Sequence, residues 1–235
     1  MAQKKIILKE LGVIPYQEAW DYQEKLLHKG VQQKIKAQNE AKIDNVLLIC
    51  THPHVYTLGK HGDFEHLLLN NKQLEEQGIG FYKTNRGGDI TYHGPGQLIA
   101  YPILDLEQFG SNIRAYLHAL EEVVIRTIAE FGIKADRLEG KTGVWIEPQS
   151  KNARKICAIG VRCSRWITIH GLALNINTDL SYFNGIIPCG IADKSVAGMS
   201  QELNKKIDEA KVIAVFIEKF SEVFEAEIVA ETTVS

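Results

Sequence analysis

The residue with the clearest chemical potential is Cys189, which lies in the segment Ile186-Ile-Pro-Cys-Gly-Ile191. Pro188 and Gly190 flank it, and both residue types favour turns over strand interiors. A turn exposes the sulfur atom and can aim neighbouring backbone N–H groups at a developing oxyanion. Because a nearby cation lowers the pKa of a thiol, Cys189 is a candidate nucleophile. The alternative is a structural cysteine in a turn.

A lysine opens the apolar segment Lys155-Ile-Cys-Ala-Ile-Gly-Val-Arg-Cys163. Strand alternation predicts that Lys155 shares one face with Cys157, Ile159, Val161 and Cys163. On such a face the ammonium group lies either at a rim in water, which is the ordinary arrangement, or in a partly dry pocket suited to acid–base chemistry.

Four glycines occur within the twelve residues of Arg86-Gly-Gly-Asp-Ile-Thr-Tyr-His-Gly-Pro-Gly-Gln97, interleaved with polar side chains. Glycine permits a ligand to approach the backbone closely. Two turns flanking a hairpin would also contain glycines, but they would not need so many polar residues. We therefore interpret this segment as a ligand-binding surface.

Two other patterns suggest cofactor sites that their context does not support. Residues 135–142 fit a relaxed phosphate-loop pattern, but two acidic residues within it would repel phosphate and a strand, not a helix, is predicted to follow. His52 and His54 lie two residues apart, but a proline separates them and no further metal-ligand motif accompanies them. The sequence predicts neither an ATP loop nor a metal site.

The overall composition is that of an ordinary globular domain. The 235 residues are 45% hydrophobic and 24% charged, with a formal net charge of −2, which argues against a polycationic nucleic-acid binder. Four cysteines are too few for a disulfide scaffold. No apolar run approaches the ~20 residues that a bilayer requires, and we read no signal peptide. We expect one cytoplasmic domain over residues 1–230, no membrane association, and a flexible tail over 231–235.

The elements that must position these residues alternate between helical and strand character. The predicted strands cover residues 4–8, 46–50, 54–58 (as a partner of 46–50), parts of 81–106, 143–147, 155–163 and 166–177. The predicted helices cover residues 16–38 with a possible division at Gly30, 67–77, 111–132 with Ser111 as the cap and Gly132 as the stop, and 208–224. This pattern indicates an α+β or mixed α/β fold.

One stretch of the chain is strongly basic. No acidic residue lies between Glu147 and Asp179. The basic residues of the stretch are Lys151, Arg154, Lys155, Arg162 and Arg165. The stretch is either a solvated strand edge protected by charge or a docking face for an acidic partner.

Six segments together resemble the bacterial lipoyl(octanoyl) transferases, which are octanoyl carrier-protein–protein N-octanoyltransferases. The segments are Thr51–Gly59, Arg86–Gln97, Gly143–Trp145, Lys155–Arg162, His170–Asn177 and Pro188–Gly190. They occur in the family's order and cover most of the chain from about residue 45 to 200. The resemblance implies a fold like the catalytic domain of biotin and lipoate protein ligases, with a central mixed or antiparallel sheet flanked by helices.

The resemblance also implies a cysteine–lysine mechanism for the first step of protein lipoylation. Cys189 accepts the octanoyl group as a thioester and Lys155 moves the protons. The implied substrate-binding residues are Arg86, Gly87, Gly88, Asp89, Ile90, Thr91, Tyr92, His93, Ala158, Ile159, Gly160, Gly171, Leu172 and Ala173. The apolar face of 155–163, with Leu172–Leu174, is expected to line a tunnel for the acyl chain. Cys157 stands where the family more often has a smaller residue, and we interpret it, with Cys50 and Cys163, as a packing residue.

The implied partners are octanoyl-acyl carrier protein, the lipoyl domains of 2-oxoacid dehydrogenase complexes and the H protein of glycine cleavage. A thioester donor is already activated, so we expect no ATP and no metal, and we expect a monomer that binds no nucleic acid. Two rival interpretations are an ATP-dependent lipoate or biotin protein ligase on the same fold, and a non-catalytic binding module that uses the basic 151–165 stretch.

Overall fold

A computed structural model describes residues 4–36, 43–187 and 195–230 of the chain. The strands in these ranges are β1 (Lys4–Val13), β2 (Asn45–Thr51), β3 (Val55–Leu58), β4 (Gly80–Lys83), β5 (Ile90–His93), β6 (Gln97–Ile103), β7 (Asp136–Leu138), β8 (Lys141–Ile146), β9 (Arg154–Ser164), β10 (Ile167–Asn175), β11 (Ser195–Val196) and β12 (Ala226–Ala230). The helices are α1 (Tyr16–Lys36), α2 (Asn71–Glu76), α3 (Ile113–Ala129), α4 (Met199–Glu202) and α5 (Glu209–Phe224). The predicted mixed α/β class is confirmed.

A large mixed sheet forms the centre of the fold. Its strand order is β12-β1-β2-β6-β10-β9-β8-β7, and β11 pairs with β9. The β12–β1, β1–β2 and β11–β9 pairs are parallel, and the other pairs are antiparallel. Helices α3 and α5 cover one face, which we call the core face, and bury residues such as Leu120 and Phe216 against it. Helix α1 covers part of the opposite face with Ala19 and Leu27.

A second, smaller sheet has the order β4-β3-β5. The sequence suggested that residues 54–58 pair with 46–50, and this is wrong: β3 pairs with β4 and β5, whereas β2 pairs with β1 and β6. The alternative interpretation of the glycine-rich segment as one hairpin is also wrong. Strand β5 belongs to the small sheet and β6 to the large one, so this segment crosses between the two sheets.

The helix boundaries follow local capping chemistry. The N-cap of α3 is Asn112, whose side chain accepts a hydrogen bond from the N–H of Ala115, and not the expected Ser111. Gly132 ends this helix as predicted, with a φ of 82°. Its N–H donates to the carbonyl of Ala129, and the N–H of Ile133 donates to the carbonyl of Ile128. This pair of bonds is the Schellman arrangement.

Two other predicted helices differ from the structure. Gly30 does not divide α1; it lies buried within one continuous helix. A Cβ atom there would meet methyl groups of Ile167 and Ile43 at 2.9 Å, so the glycine lets α1 pack closely. The helix expected over residues 67–77 is restricted to α2 at 71–76. No helix in the described ranges combines the length and the apolar character needed to cross a bilayer.

Gly171 in the centre of the large sheet gives a test of this packing. A Cβ atom at Gly171 would collide with the carbonyl oxygen of Ala100 on the adjacent strand, whereas one at Gly80 would meet nothing closer than 3.4 Å. We expect Gly171→Ala to lower the free energy of unfolding by about 3 kcal/mol or more, because backbone must move. Gly80→Ala should change it by less than about 0.5 kcal/mol. Urea unfolding measures both variants, and equal stabilities would contradict this account.

Candidate active site

A cavity lies between the α1-side face of the large sheet and the small sheet. The space between its walls, including the part open to solvent, is about 790 Å³. Its lining residues are Tyr16, Arg86, Gly88, Asp89, Ile90, Thr91, His93, Gln97, Tyr101, Lys155, Ala158, Ile159, Gly160, His170, Gly171, Leu172, Ala173, Asn175, Phe183 and Val196.

The floor of the cavity is a narrow trough of small residues on β9 and β10. The antiparallel register places Ala158 opposite Ala173 and Gly160 opposite Gly171. Residues directly opposite in such a pair project from the same face of a sheet. Ala158 and Ala173 carry only a methyl group and leave room for a slender, apolar ligand. The space over Gly160 is taken by the carbonyl of Gly87.

A β-bulge places Lys155 at one end of this trough. Val144 pairs with Cys157 and Trp145 pairs with Lys155, so Ile156 is an extra residue in β9. Both Ile156 and Cys157 pack into the core face. The prediction that Lys155 shares a face with Cys157 is therefore wrong, because a bulge re-aims the side chains beyond it.

The lysine side chain is half-buried and lines the cavity. Its Nζ atom lies 4.8 Å from the centre of the Trp145 ring, a cation–π contact. Gly143, beside the lysine stem, has a φ of 120°, and a Cβ there would lie 2.6 Å from the carbonyl oxygen of Cys157, so this position requires a glycine. The carboxylate of Glu121 in α3 holds Gly143 in place by accepting its N–H at 2.9 Å.

The glycine-rich loop after β4 closes the cavity from the side of the small sheet. The N–H of Gly87 donates to the carbonyl of Val161 in β9 at 2.9 Å. This approach requires a glycine at position 160, where a Cβ atom would lie 2.7 Å from the carbonyl oxygen of Gly87. The loop is also tied to the small sheet, because the N–H of Lys60 donates to the carbonyl of Arg86.

Arg86 is buried in the wall of the cavity with an exposed fraction of 8%. Its Nη2 donates to the carbonyl of Thr57 at 2.6 Å and to the Thr57 hydroxyl at 2.9 Å, and its Nη1 donates to the carbonyl of Gly87. A buried guanidinium group needs such partners to offset its lost hydration. Arg86 therefore joins β3 to the glycine-rich loop.

A chain of hydrogen bonds along the cavity wall fixes His93. Nε2 of Gln97 donates to the carbonyl of Tyr92 and to Oδ1 of Asn175, so Oε1 of Gln97 accepts from Nδ1 of His93 at 2.9 Å. Asn175 in turn donates to the carbonyl of Ala197, next to β11. These hydrogen bonds therefore connect β5 to the neighbourhood of β11, the strand that pairs with β9 at Lys155.

His170 lines the other end of the trough from Lys155. It lies opposite Val161 in the β9–β10 register and has a φ of 59°, which is unusual for a residue with a side chain. Its Nε2 lies 2.7 Å from Oδ1 of Asn85. Its Nδ1 is buried and has no hydrogen-bond partner.

Both histidines are held neutral. Burial, with smaller contributions from His52 and Arg86, lowers the pKa of His93 from 6.5 to about 3. Burial, together with Arg86 and Arg162, lowers the pKa of His170 to about 3. The other acidic or basic side chains that line the cavity are Arg86, Lys155 and Asp89, and Asp89 pairs with His66 at 2.7 Å.

The structure brings most of the sequence-predicted binding residues to this one cavity. Twelve of the fourteen line it, and two, Gly87 and Tyr92, do not. The N–H of Gly87 bonds to Val161, away from the cavity. The Tyr92 side chain lies in the core of the small sheet, where its hydroxyl contacts Nδ1 of His54 at 2.7 Å and its ring stacks on Tyr182.

Other expected lining residues differ. Leu174 lies in the core face and not in the cavity, because alternation along β10 turns it away from Ala173. Along β9 the cavity is lined by Ala158, Ile159 and Gly160, whereas Cys157, Val161 and Cys163 pack into the core face. The candidate nucleophile Cys189 lies outside the described residues, as do residues 1–3, 37–42 and 231–235.

In the folded chain, acidic side chains from other segments lie next to some of the basic residues of the 151–165 stretch. Arg154 pairs with Glu202 at 2.6 Å and with Glu147, and Arg162 pairs with Glu24 at 2.7 Å. Lys155 lines the cavity. Lys151 and Arg165 are exposed. Two of the five basic residues are thus paired with acidic side chains, and docking of an acidic partner on this stretch stays a prediction.

Sequence reasoning did not single out seven of the lining residues. His170, Asn175 and Gln97 stood inside the motifs already recognised, so their polar types next to glycine or small residues were an available signal. Tyr16, Tyr101, Phe183 and Val196 carry no local signal. They reach the cavity from α1, β6, the 180–185 turn and β11 only through the tertiary fold.

The rejected cofactor patterns have structural roles. Gly140 forms the turn between the antiparallel strands β7 and β8, so a strand follows the phosphate-like pattern as expected. His52 contacts the carbonyl of Ile14 and the hydroxyl of Tyr101, each at 2.7 Å. No group of His, Cys, Asp or Glu side chains in the described part of the chain is arranged to hold a metal ion.

The chain is similar to known proteins over most of its length. Residues 15–221 match the family described as lipoyl protein ligase A/B catalytic domain. The chain is 55% identical to the octanoyltransferase of Flavobacterium johnsoniae, over 96% of this chain and 99% of that protein. It is 50% identical to the octanoyltransferase of Christiangramia forsetii, over 96% and 98%.

Among solved structures, the fold is similar to a chain of the bi-partite lipoate protein ligase and E2 lipoyl domain system of Thermoplasma acidophilum. The TM-score is 0.70 at 16% identity, covering 99% of this chain and 89% of that chain. This likeness confirms the expected ligase-like fold.

The neutral histidines predict how stability depends on pH. Their pKa values are lower in the folded than in the unfolded chain, so the unfolded chain binds more protons between about pH 3 and 6.5. Stability should therefore fall as the pH drops through this window and stay flat above it, by roughly 2 kcal/mol per histidine at pH 5. Urea unfolding at pH 7 and pH 5 measures this difference.

The matched variants are His93→Gln and His28→Gln. The first should reduce the loss of stability between pH 7 and pH 5, because it removes one buried titrating group. The second replaces an exposed histidine and should leave that loss unchanged. An identical pH dependence in both variants would contradict the neutral state of His93.

Proposed function

Because the chain belongs to the lipoyl protein ligase A/B catalytic domain family and is 55% identical to an octanoyltransferase, we propose that it transfers octanoyl groups to protein lysines. The proposed donor is the thioester of octanoyl-acyl carrier protein, and the acceptor is the lysine amine of a lipoyl domain or of a glycine cleavage H protein. The observation that carries the proposal is the apolar trough that ends at Lys155.

The first step is formation of an acyl-enzyme. Lys155 takes the proton of the Cys189 thiol, and the thiolate attacks the carbonyl carbon of the octanoyl thioester. The carrier-protein sulfur leaves and takes a proton back from Lys155. One thioester has then been exchanged for another, so the step needs no ATP and no metal.

The second step releases the product as an amide. The amine of the acceptor lysine loses a proton, with Lys155 as the proposed base, and attacks the thioester on Cys189. The Cys189 sulfur leaves and is reprotonated. We expect ping-pong kinetics, since the first protein substrate departs before the second one reacts.

Described residues on both sides of Cys189 support its assignment. Phe183, six residues before it, and Val196, seven residues after it, both line the cavity. Val196 pairs directly with Lys155 in the β11–β9 ladder. The three described cysteines are weaker candidates, because burial raises the pKa of the Cys50, Cys157 and Cys163 thiols above their ordinary value.

The trough supports an alkyl chain as the ligand. A slender chain can lie over Ala158 and Ala173, where larger side chains would block it. Burying each CH₂ group there contributes about 0.8 kcal/mol. The proposal keeps the expectations of a cytoplasmic monomer, two protein substrates and no metal or nucleotide.

Intact-mass analysis after mixing with octanoyl-loaded carrier protein, without ATP, tests the acyl-enzyme. We expect an octanoyl adduct on the wild-type protein and none on Cys189→Ala. Cys163→Ala is the matched control and should be acylated normally, since Cys163 packs against the core. No adduct on the wild-type protein, or an adduct that persists in Cys189→Ala, would overturn the proposal.

Lys155→Ala tests the proton-transfer role. Loss of a positioned base typically costs 10²–10⁴-fold, so acylation at pH 7 should slow by about that factor. The rate should recover partly as the pH rises towards the ordinary pKa of a thiol, because hydroxide then replaces the base. Lys151→Ala, a change at an exposed lysine, should leave the rate unchanged. Normal acylation of Lys155→Ala at pH 7 would assign Lys155 a structural role only.

A further inference from the structure

Helix α3 buries one acidic residue, Glu121, among apolar neighbours. The Glu121 side chain is 6% exposed, and the buried residues beside it in α3 include Leu120 and Val124. Burying a carboxylate is unfavourable unless its oxygen atoms are hydrogen-bonded. If α3 only had to pack against the large sheet, an apolar residue would serve better at position 121.

The two carboxylate oxygens of Glu121 bind different elements. Oε1 accepts the backbone N–H of Gly143 in β8 at 2.9 Å. Oε2 accepts from Nε of Arg137 in β7 at 3.2 Å and lies 3.3 Å from Nδ1 of His118, three residues earlier in α3. Glu121 therefore connects α3 directly to the backbone at the start of β8.

The N–H of Gly143 depends on this acceptor because β8 is irregular along both edges. Towards β7, the register shifts between Arg137 and Leu138, and the residue pairs skip Gly143. Towards β9, the paired residues begin at Val144. A buried backbone N–H without a partner costs free energy comparable to a lost hydrogen bond. Glu121 supplies from α3 the acceptor that a regular ladder would supply.

The same part of β8 holds the Lys155 side chain. A Cβ atom on Gly143 would lie 3.4 Å from Cε and 3.5 Å from Cδ of Lys155, so the lysine stem runs beside the glycine backbone. The Nζ atom lies 4.8 Å from the centre of the Trp145 ring, two residues further along β8. The position of the ammonium group therefore depends on where residues 143–145 lie.

From these contacts we propose that Glu121 is a positioning residue for Lys155. By accepting the Gly143 N–H, it fixes the start of β8, and Gly143 and Trp145 then fix the stem and the ammonium group of the lysine. Glu121 is not one of the described residues that line the cavity, so it acts through β8 and not on a ligand. The inference rests on the proposed function for the role of Lys155 in proton transfer.

Two conservative variants separate the reach of the Glu121 side chain from its charge. Glu121→Gln keeps the length of the side chain and an oxygen acceptor for the Gly143 N–H. Glu121→Asp keeps the carboxylate but withdraws it from Gly143 by one methylene group. If the hydrogen bond to β8 positions the lysine, Glu121→Gln behaves like the wild-type protein and Glu121→Asp does not.

The kinetic measurement is the rate of Cys189 acylation by octanoyl-loaded carrier protein at pH 7, followed by intact mass at several donor concentrations. We expect Glu121→Asp to lower the rate at saturating donor by at least about tenfold, because the base is misplaced. The half-saturating donor concentration should change by less than about twofold, since Glu121 touches no ligand. Glu121→Gln should stay within about threefold of the wild-type protein in both quantities.

A spectroscopic measurement reports the position of the lysine without any acyl transfer. The ring current of Trp145 shifts the NMR signals of protons close to the ring, so the ε-methylene signal of Lys155 reports the contact between the two side chains. The signal is assigned by its absence in Lys155→Ala. We expect the ring-current shift to persist in Glu121→Gln and to be largely lost in Glu121→Asp.

Glu122→Gln and Glu122→Asp are the matched controls. Glu122 is the next residue in α3 and accepts from the same Arg137, and also from Arg126. Both changes should leave the acylation rate and the lysine signal unchanged. Glu121→Met, which has a side chain of similar length without an acceptor oxygen, replaces Glu121→Asp if urea unfolding shows that this protein is not folded, with the same losses expected.

The outcomes separate this inference from the proposed function. If the wild-type protein is acylated and Glu121→Asp keeps a normal rate and lysine signal, the transferase proposal stands and the positioning role is overturned. It is also overturned if Glu121→Gln is the impaired variant, because charge and not the hydrogen bond would then matter. If the wild-type protein is not acylated, the proposed function fails, whereas a lysine signal that changes only in Glu121→Asp still supports the positioning role.

Discussion

The cavity depends on the close approach of two backbones. The loop after β4 meets strand β9 at one hydrogen bond, from the N–H of Gly87 to the carbonyl of Val161. The contact exists only because position 160 has no Cβ, which would lie 2.7 Å from the Gly87 carbonyl. This joint holds the small sheet against the large one, and the space left between them is the cavity. Arg86 and Thr57 then secure the joint from the small-sheet side.

Two local departures from regular strand geometry turn polar side chains into the cavity. A bulge at Ile156 turns Lys155 away from the core face, and a left-handed residue turns His170 the same way. Between them the strands are regular and their side chains are small. A regular sheet would leave both chemically useful side chains in the core, where a buried cation has a high energetic cost.

The interior of the site combines many polar atoms with few charges. Burial keeps His93 and His170 neutral, and directed hydrogen bonds to Gln97 and Asn85 place their protons on defined nitrogen atoms. Such a wall fixes its own geometry without attracting water as an ionised group would. It suits a reaction in which an apolar chain is held while an uncharged thioester exchanges its sulfur.

The sequence by itself determined the fold class, most element positions and the motif residues that gather around the cavity. Residue type and spacing carry this information, because glycine-dense loops and strand patterns are local properties. Only the tertiary structure decided which way Lys155 and His170 face, since a bulge depends on the register with β8 and a left-handed residue depends on its partners in α1 and the glycine-rich loop. It also decided the charge of the basic stretch, because Arg154 finds Glu202 across 48 residues and Arg162 finds Glu24 across 138. Charged residues that are far apart in the sequence form ion pairs only after the chain has folded.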